Sequence, residues 1–154
     1  MADELLVIER VAVLQRVGIF SAVPGYTLAA VAGVLEEVRF AAGDAVIERG
    51  ALEDWLYVVA DGLVRAHIGD RTLTECGPGN VVGELAVLAP AARSASVTAI
   101  QPSLLLRLRR SAFEELLDDR PVIARSVIAA LALRLRALAD EDAEIEEIPE
   151  LALS

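Results

Sequence analysis

The chain has 154 residues, 55% of them hydrophobic, which is the size of one domain with a substantial core. Fourteen basic residues stand against 24 acidic ones, but seven of the acids fall after position 139, where no base occurs; the body is near neutral, offers no cationic face for duplex DNA, and is not expected to bind nucleic acid directly. No apolar run approaches the ~20 residues that cross a bilayer, and the single Cys76 and the acidic start MADELLVIER point to a reducing, cytoplasmic setting.

Taken in chain order, apolar residues recur at helical spacing from Glu4 to Val17 and, after the Pro24-Gly25 break, from Tyr26 to Val38. Helices are therefore expected over 4–38. From Arg39 to Arg109 the pattern changes to short Val-rich runs cut by glycine, including Ala45–Glu48, Trp55–Ala60, Leu63–Ile68, Ser94–Ile100 and Ser103–Arg109, with Gly69-Asp70 as a hairpin signal. This predicts a mainly β fold, a jelly-roll barrel over 39–109.

Helical spacing returns at Ser111, where Ser111 and Glu114 read as a capping box, and Pro121 suits the first position of a second helix ending near Asp140. Its stripe Ile128, Leu131, Leu135, Leu138 is read as packing on the barrel, with a dimer seam as the other reading. The acidic tail, 141–154, is expected to be solvated. The domain thus spans 1–140. All fourteen bases are arginine, which reads as the codon usage of a GC-rich, bacterial genome rather than as a site.

One stretch of the β region carries chemistry. Gly83-Glu84-Leu85-Ala86-Val87-Leu88 follows the Gly77-Pro78-Gly79 turn and reads as a single helical turn, whose free N–H groups suit an anion. Nine residues after Glu84 comes Arg93, whose guanidinium can grip two phosphate oxygens, and then Ser94, whose hydroxyl can add a third bond. Glu84 beside an anion makes sense if it accepts a bond from a neutral donor such as a ribose hydroxyl. Phosphate plus ribose points to a nucleotide.

The same residues, continued through Ala95-Ser96-Val97-Thr98-Ala99, resemble the phosphate-binding cassette of the cyclic-nucleotide-binding domain family, of the catabolite activator and protein kinase A regulatory subunit type. Gly43, Gly50 with Asp54-Trp55-Leu56-Tyr57, Gly62 and the Gly77-Pro78-Gly79 turn fit the same family, and the likeness runs from about Val17 to Leu138. The resemblance implies a double-stranded β-helix with flanking helices. It implies that amides around Leu85 and Ala86, with Ser94 and Ala95, hold a cyclic phosphate, that Arg93 is its charge partner, and that Glu84 takes the ribose 2′-hydroxyl. Arg134 falls where one branch has a lid arginine, and the C-terminal helix acts as lid and often as a homodimer seam.

Three positions depart from the family pattern: Val82 replaces an aromatic, Ala92 a proline and Glu53 a glycine. Leu138-Ala139 lacks the hydroxyls offered to adenine in the transcription-factor branch, so the base end, around Val82, Arg134 and Leu138, is the less defined part. The ligand expected is cyclic AMP in preference to cyclic GMP, with no cofactor and no metal. Metal-dependent cupin chemistry needs several histidines and only His67 exists; no nucleophile and base are paired, so no enzyme activity is expected. The chain reads as a regulatory module of the kind fused to an effector in a larger protein; the alternative is a degenerate domain serving as a non-binding scaffold.

Overall fold

The computed structural model describes residues 5–146. Two helices, α1 (Val7–Leu14) and α2 (Gly25–Gly33), flank a 3-10 turn at Gly18–Phe20. The ten strands that follow are β1 (Glu36–Phe40), β2 (Ala45–Ile47), β3 (Leu52–Glu53), β4 (Trp55–Asp61), β5 (Val64–Ile68), β6 (Arg71–Cys76), β7 (Val81–Val82), β8 (Ala91–Ala92), β9 (Ser96–Ala99) and β10 (Ser103–Arg109). Helices α3 (Arg110–Asp119) and α4 (Pro121–Glu146) close the described chain.

Every strand pairing is antiparallel, in two four-stranded sheets, β1-β10-β4-β7 and β2-β9-β5-β6, and one two-stranded ladder, β3-β8. Alternation along β4 and β10 divides their side chains between two cores. Tyr57, Val59 and Leu105 meet Val46, Val64 and Val97 between the sheets. Leu56, Val58, Leu106 and Leu108 face the other way, onto the helices with Phe20, Phe113 and Ile123. A sheet buried on both faces explains why β4 and β10 read as continuous apolar runs rather than as alternating ones.

The expected mainly β fold with flanking helices stands, with local corrections. Helix does not continue to Val38: α2 stops at Gly33, and Glu36–Phe40 is a strand laid on β10, Val38 opposite Leu105. Ser111 caps nothing, because α3 begins at Arg110, and Glu114 instead pairs with Arg110 at 2.6 Å. Pro121 does open α4, but the helix runs past Asp140 to Glu146, so the first acids of the expected solvated tail are helical; 147–154 lie outside the described residues. Cys76 ends β6, paired with Val64. His67 bridges Gly69 O and Thr98 Oγ1, each at 2.8 Å, tying the Gly69-Asp70 hairpin to β9.

The α4 stripe is out of phase with the expectation. Ile123 and Val127 are buried and Leu131 packs beside them, a step of four residues that keeps one face on the core. Ile128, Leu135 and Leu138 are 65%, 67% and 52% exposed.

Candidate functional site

The segment 83–95 is pinned at both ends by strand pairing. Before it, β7 pairs with β4, Val82 opposite Tyr57. After its turn, β8 pairs with β3, Leu52 opposite Ala92, and Arg93 N–H donates to Ala51 O at 2.9 Å while its own carbonyl accepts from Gly50 N–H at 2.8 Å. Between these anchors Glu84–Val87 forms the expected single turn, of 3-10 type. Gly83 precedes it with φ of 73°, in the left-handed region, and a Cβ there would lie 1.9 Å from Arg93 Nη1. Only glycine satisfies both conditions. The turn closes by Ala86 N–H donating to Gly83 O at 3.0 Å, which takes the Ala86 amide; in a turn of this length the N–H groups of Glu84 and Leu85 precede the first internal bond.

Arg93 is buried, with a side chain 6% exposed. Its Nε donates to Glu53 Oε1 at 2.9 Å and its Nη2 to Trp55 O at 2.5 Å. The Nε position of the guanidinium is therefore already occupied. Glu84 Oε1 accepts from Arg134 Nη1 on α4, and this hydrogen bond, with the charge behind it, holds the Arg134 pKa above its ordinary value. The second oxygen, Glu84 Oε2, is buried with no hydrogen-bond partner among the described residues. Gly18, in the N-terminal 3-10 turn, lies against the pair: a Cβ there would stand 2.7 Å from Arg134 Nη2 and 3.8 Å from Glu84 Oε2.

These residues wall two cavities that meet at Gly83, Arg93 and Ser94. One, of about 330 Å3, adds Glu84, Leu85, Ala86 and Arg134. The other, of about 240 Å3, adds Val82 and Ala95 with Ala66, Leu73 and Thr74. Nine of the ten residues singled out from sequence thus line these two adjoining cavities. The exception is Leu138, which lines neither cavity and lies half exposed on α4. Sequence reading missed Leu73 and Thr74, which the β5-β6 hairpin carries to the wall opposite Ala95, and it passed over Glu53 as a partner of Arg93. The one signal for Glu53 was a carboxylate standing where the family pattern has glycine.

The profile of the cyclic nucleotide-binding domain matches residues 37–120, more than half of the chain. The chain belongs to the cyclic nucleotide-binding domain family. It is 35% identical over 129 residues to a CRP-like cAMP-activated global transcriptional regulator of Mycobacterium tuberculosis, covering 80% of this chain and 58% of that one. It is 39% identical over 99 residues to the cyclic AMP receptor protein of Thermus thermophilus, covering 61% and 46%. Among solved structures, the N-terminal domain of a transcriptional regulator from Streptomyces coelicolor superposes with a TM-score of 0.79 at 34% identity, over 84% of this chain and 94% of that one. As a cyclic nucleotide-binding domain the chain spans about half the length of these curated relatives. No helix among the described residues is long and apolar enough to cross a membrane.

Proposed function

We propose that this domain is a cytoplasmic regulatory sensor in a bacterium, that it binds a cyclic nucleotide, cyclic AMP in preference to cyclic GMP, and that it signals through α4. The observation that carries the reading is Glu84 Oε2. A buried carboxylate oxygen without a donor costs about 1–3 kcal/mol, more when charged, so the site is built to receive a hydrogen-bond donor there. A ribose hydroxyl supplies one. In the same cavity Arg93, Ser94 and the first amides of the Glu84–Val87 turn face the place where the cyclic phosphate of that ribose would lie.

The adjoining cavity at Val82, Thr74 and Ala95 takes the base. The preference for adenine follows the mycobacterial cAMP-activated regulator and the Thermus cyclic AMP receptor protein. A hydroxyl reaching Glu84 Oε2 enters beside Arg134, so ligand and α4 share one carboxylate, and occupancy shifts the population of α4 positions. The exposed Ile128, Leu135 and Leu138 suit a seam with a second copy of the helix, and the effector lies in the part of a longer protein that the relatives have and this chain does not span.

A competing reading, a scaffold that binds nothing, is favoured by one observation: both cavity arginines already hold carboxylates, Glu53 and Glu84. Calorimetric titration with cyclic AMP, cyclic GMP and AMP decides. Heat with cyclic AMP, weaker heat with cyclic GMP and none with AMP is the expected result; no heat with any cyclic nucleotide at high concentration establishes the scaffold.

A further inference from the structure

Behind Arg93, away from both cavities, stands a residue that the phosphate and ribose reading does not use. The Glu53 carboxylate lies 2.9 Å from Arg93 Nε and lines neither cavity. Glu53 is carried on β3, where it pairs with Ala91 of β8, two residues before the arginine. Both side chains are largely buried, 6% exposed for Arg93 and 18% for Glu53, so water screens the pair poorly.

Glu53 is not needed to place the guanidinium. Arg93 is held at its backbone by Gly50 and Ala51, at Nη2 by Trp55 O, and at Nη1 by contact with Gly83. What Glu53 alone contributes is a negative charge against the cation that faces the ligand. Since Arg134 is likewise matched by Glu84, the cavity offers an incoming anion two arginines whose charges are already countered.

We infer that Glu53 is an affinity-setting counter-charge. It stays on Arg93 Nε when ligand binds, confines the ligand's anionic oxygens to the Nη side of the guanidinium, and holds affinity for a phosphate-bearing ligand below what Arg93 would otherwise give. A domain tuned in this way responds at higher ligand concentration than one with glycine at the same place. The inference rests on the reading of this site as a cyclic-phosphate pocket.

The test is calorimetric titration of wild type, Glu53→Gln and Glu53→Ala with cyclic AMP. Glutamine keeps an acceptor for Nε and removes the charge, so Glu53→Gln tightens binding by roughly ten-fold, the size expected of one nearby charge at an effective dielectric well above that of a dry interior. Wild type that binds, with Glu53→Gln unchanged or weaker, overturns the inference and leaves the cyclic-nucleotide reading standing. A silent wild type with a binding Glu53→Gln supports it. Silence from both overturns the inference together with the reading beneath it.

Circular dichroism and a thermal melt establish that the variants are folded, since opening a buried pair weakens the fold. A measurement on wild type alone covers the case where they are not. In heteronuclear NMR of the guanidinium, the Arg93 Nε–H signal keeps its position on saturation with cyclic AMP while the Nη signals move; a large Nε shift means that phosphate has replaced Glu53 and overturns the inference.

Discussion

Gly83 and Arg93 occupy each other's space: the guanidinium Nη1 lies where a Cβ on Gly83 would be, 1.9 Å away. The glycine thereby sets how deep the arginine sits, and its φ of 73° directs the chain into the turn that follows. Gly83→Ala incurs about 1–2 kcal/mol for the left-handed backbone and displaces Arg93 as well. The expected outcome is a lowered melting temperature together with loss of cyclic AMP binding by calorimetry.

Under the proposed function, Arg93→Ala removes the charge partner of the phosphate, and it leaves Glu53 largely buried without its ion-pair partner. Binding of cyclic AMP weakens by about 2–5 kcal/mol, the usual penalty for truncating one member of a buried charged pair. Glu84→Gln weakens it less, because an acceptor remains while the charge is lost. Equal losses in the two titrations would argue against the assigned roles.

Gly18 is remote from the cassette in sequence, yet its Cα hydrogen points at Arg134. The atom that an added methyl meets is the end of a flexible side chain, so Gly18→Ala leaves stability within about 1 kcal/mol while pushing Arg134 off Glu84. Ligand affinity changes as it does in Arg134→Ala, and the double variant shows no further change. Additive effects in that double-mutant cycle would separate the two residues.

The two faces of α4 give contrasting costs. Ile123 is fully buried, and Ile123→Ala destabilises by about 2–5 kcal/mol in chemical denaturation. Ile128, 65% exposed, changes stability by about 0.5 kcal/mol or less when replaced by alanine in the monomer. A large loss at Ile128 that depends on protein concentration would place it in a contact between copies.

Glu37 links the N-terminus to β1. Burial raises its pKa, but the Leu5 N–H at 2.7 Å and Arg10 at 2.9 Å outweigh that and hold the carboxyl below its ordinary value of 4.5. A carboxyl with a depressed folded-state pKa contributes stability at neutral pH that disappears as the pH falls below 4.5 toward the folded value. Because Arg10 also donates to Ala32 O and Leu35 O, each at 3.0 Å, Arg10→Ala flattens that acid limb and loosens α1. Urea midpoints across the acid range for both proteins measure it.

Much of the architecture was legible where burial was uniform. The run Ser103–Arg109 is the strand β10, residue for residue, because both faces of that strand are apolar contacts. The strand β1 was not, since Glu36–Phe40 continues the apolar spacing of α2 and becomes a strand only through pairing with β10, some seventy residues on. Two-residue strands such as β3, β7 and β8 are too short to show any period. The phase of α4 was misjudged because apolar residues occur on both faces, and only the packing against Phe20, Phe113 and the sheet separates Ile123 from Ile128.

The residues singled out around the cassette lie close together in the chain, and nine of the ten line the two cavities. What escaped notice were contacts from far away in sequence: Glu53 reaching Arg93 across 40 positions, and Gly18 lying on Arg134. Leu138 was placed at the base end by the family resemblance, and in the structure it lies half exposed on α4 and lines neither cavity.

The burial pattern of α4 divides it into two parts. Its first turns are anchored in the core by Ile123 and Val127, and swinging them as a rod would expose two side chains at about 1.5–3 kcal/mol each. Residues 133–141 of the helix are exposed, and that is the part that carries Arg134. The side-chain burial that resists displacement of α4 thus ends about one turn before Arg134, whose own hold on the rest of the fold is its bond to Glu84.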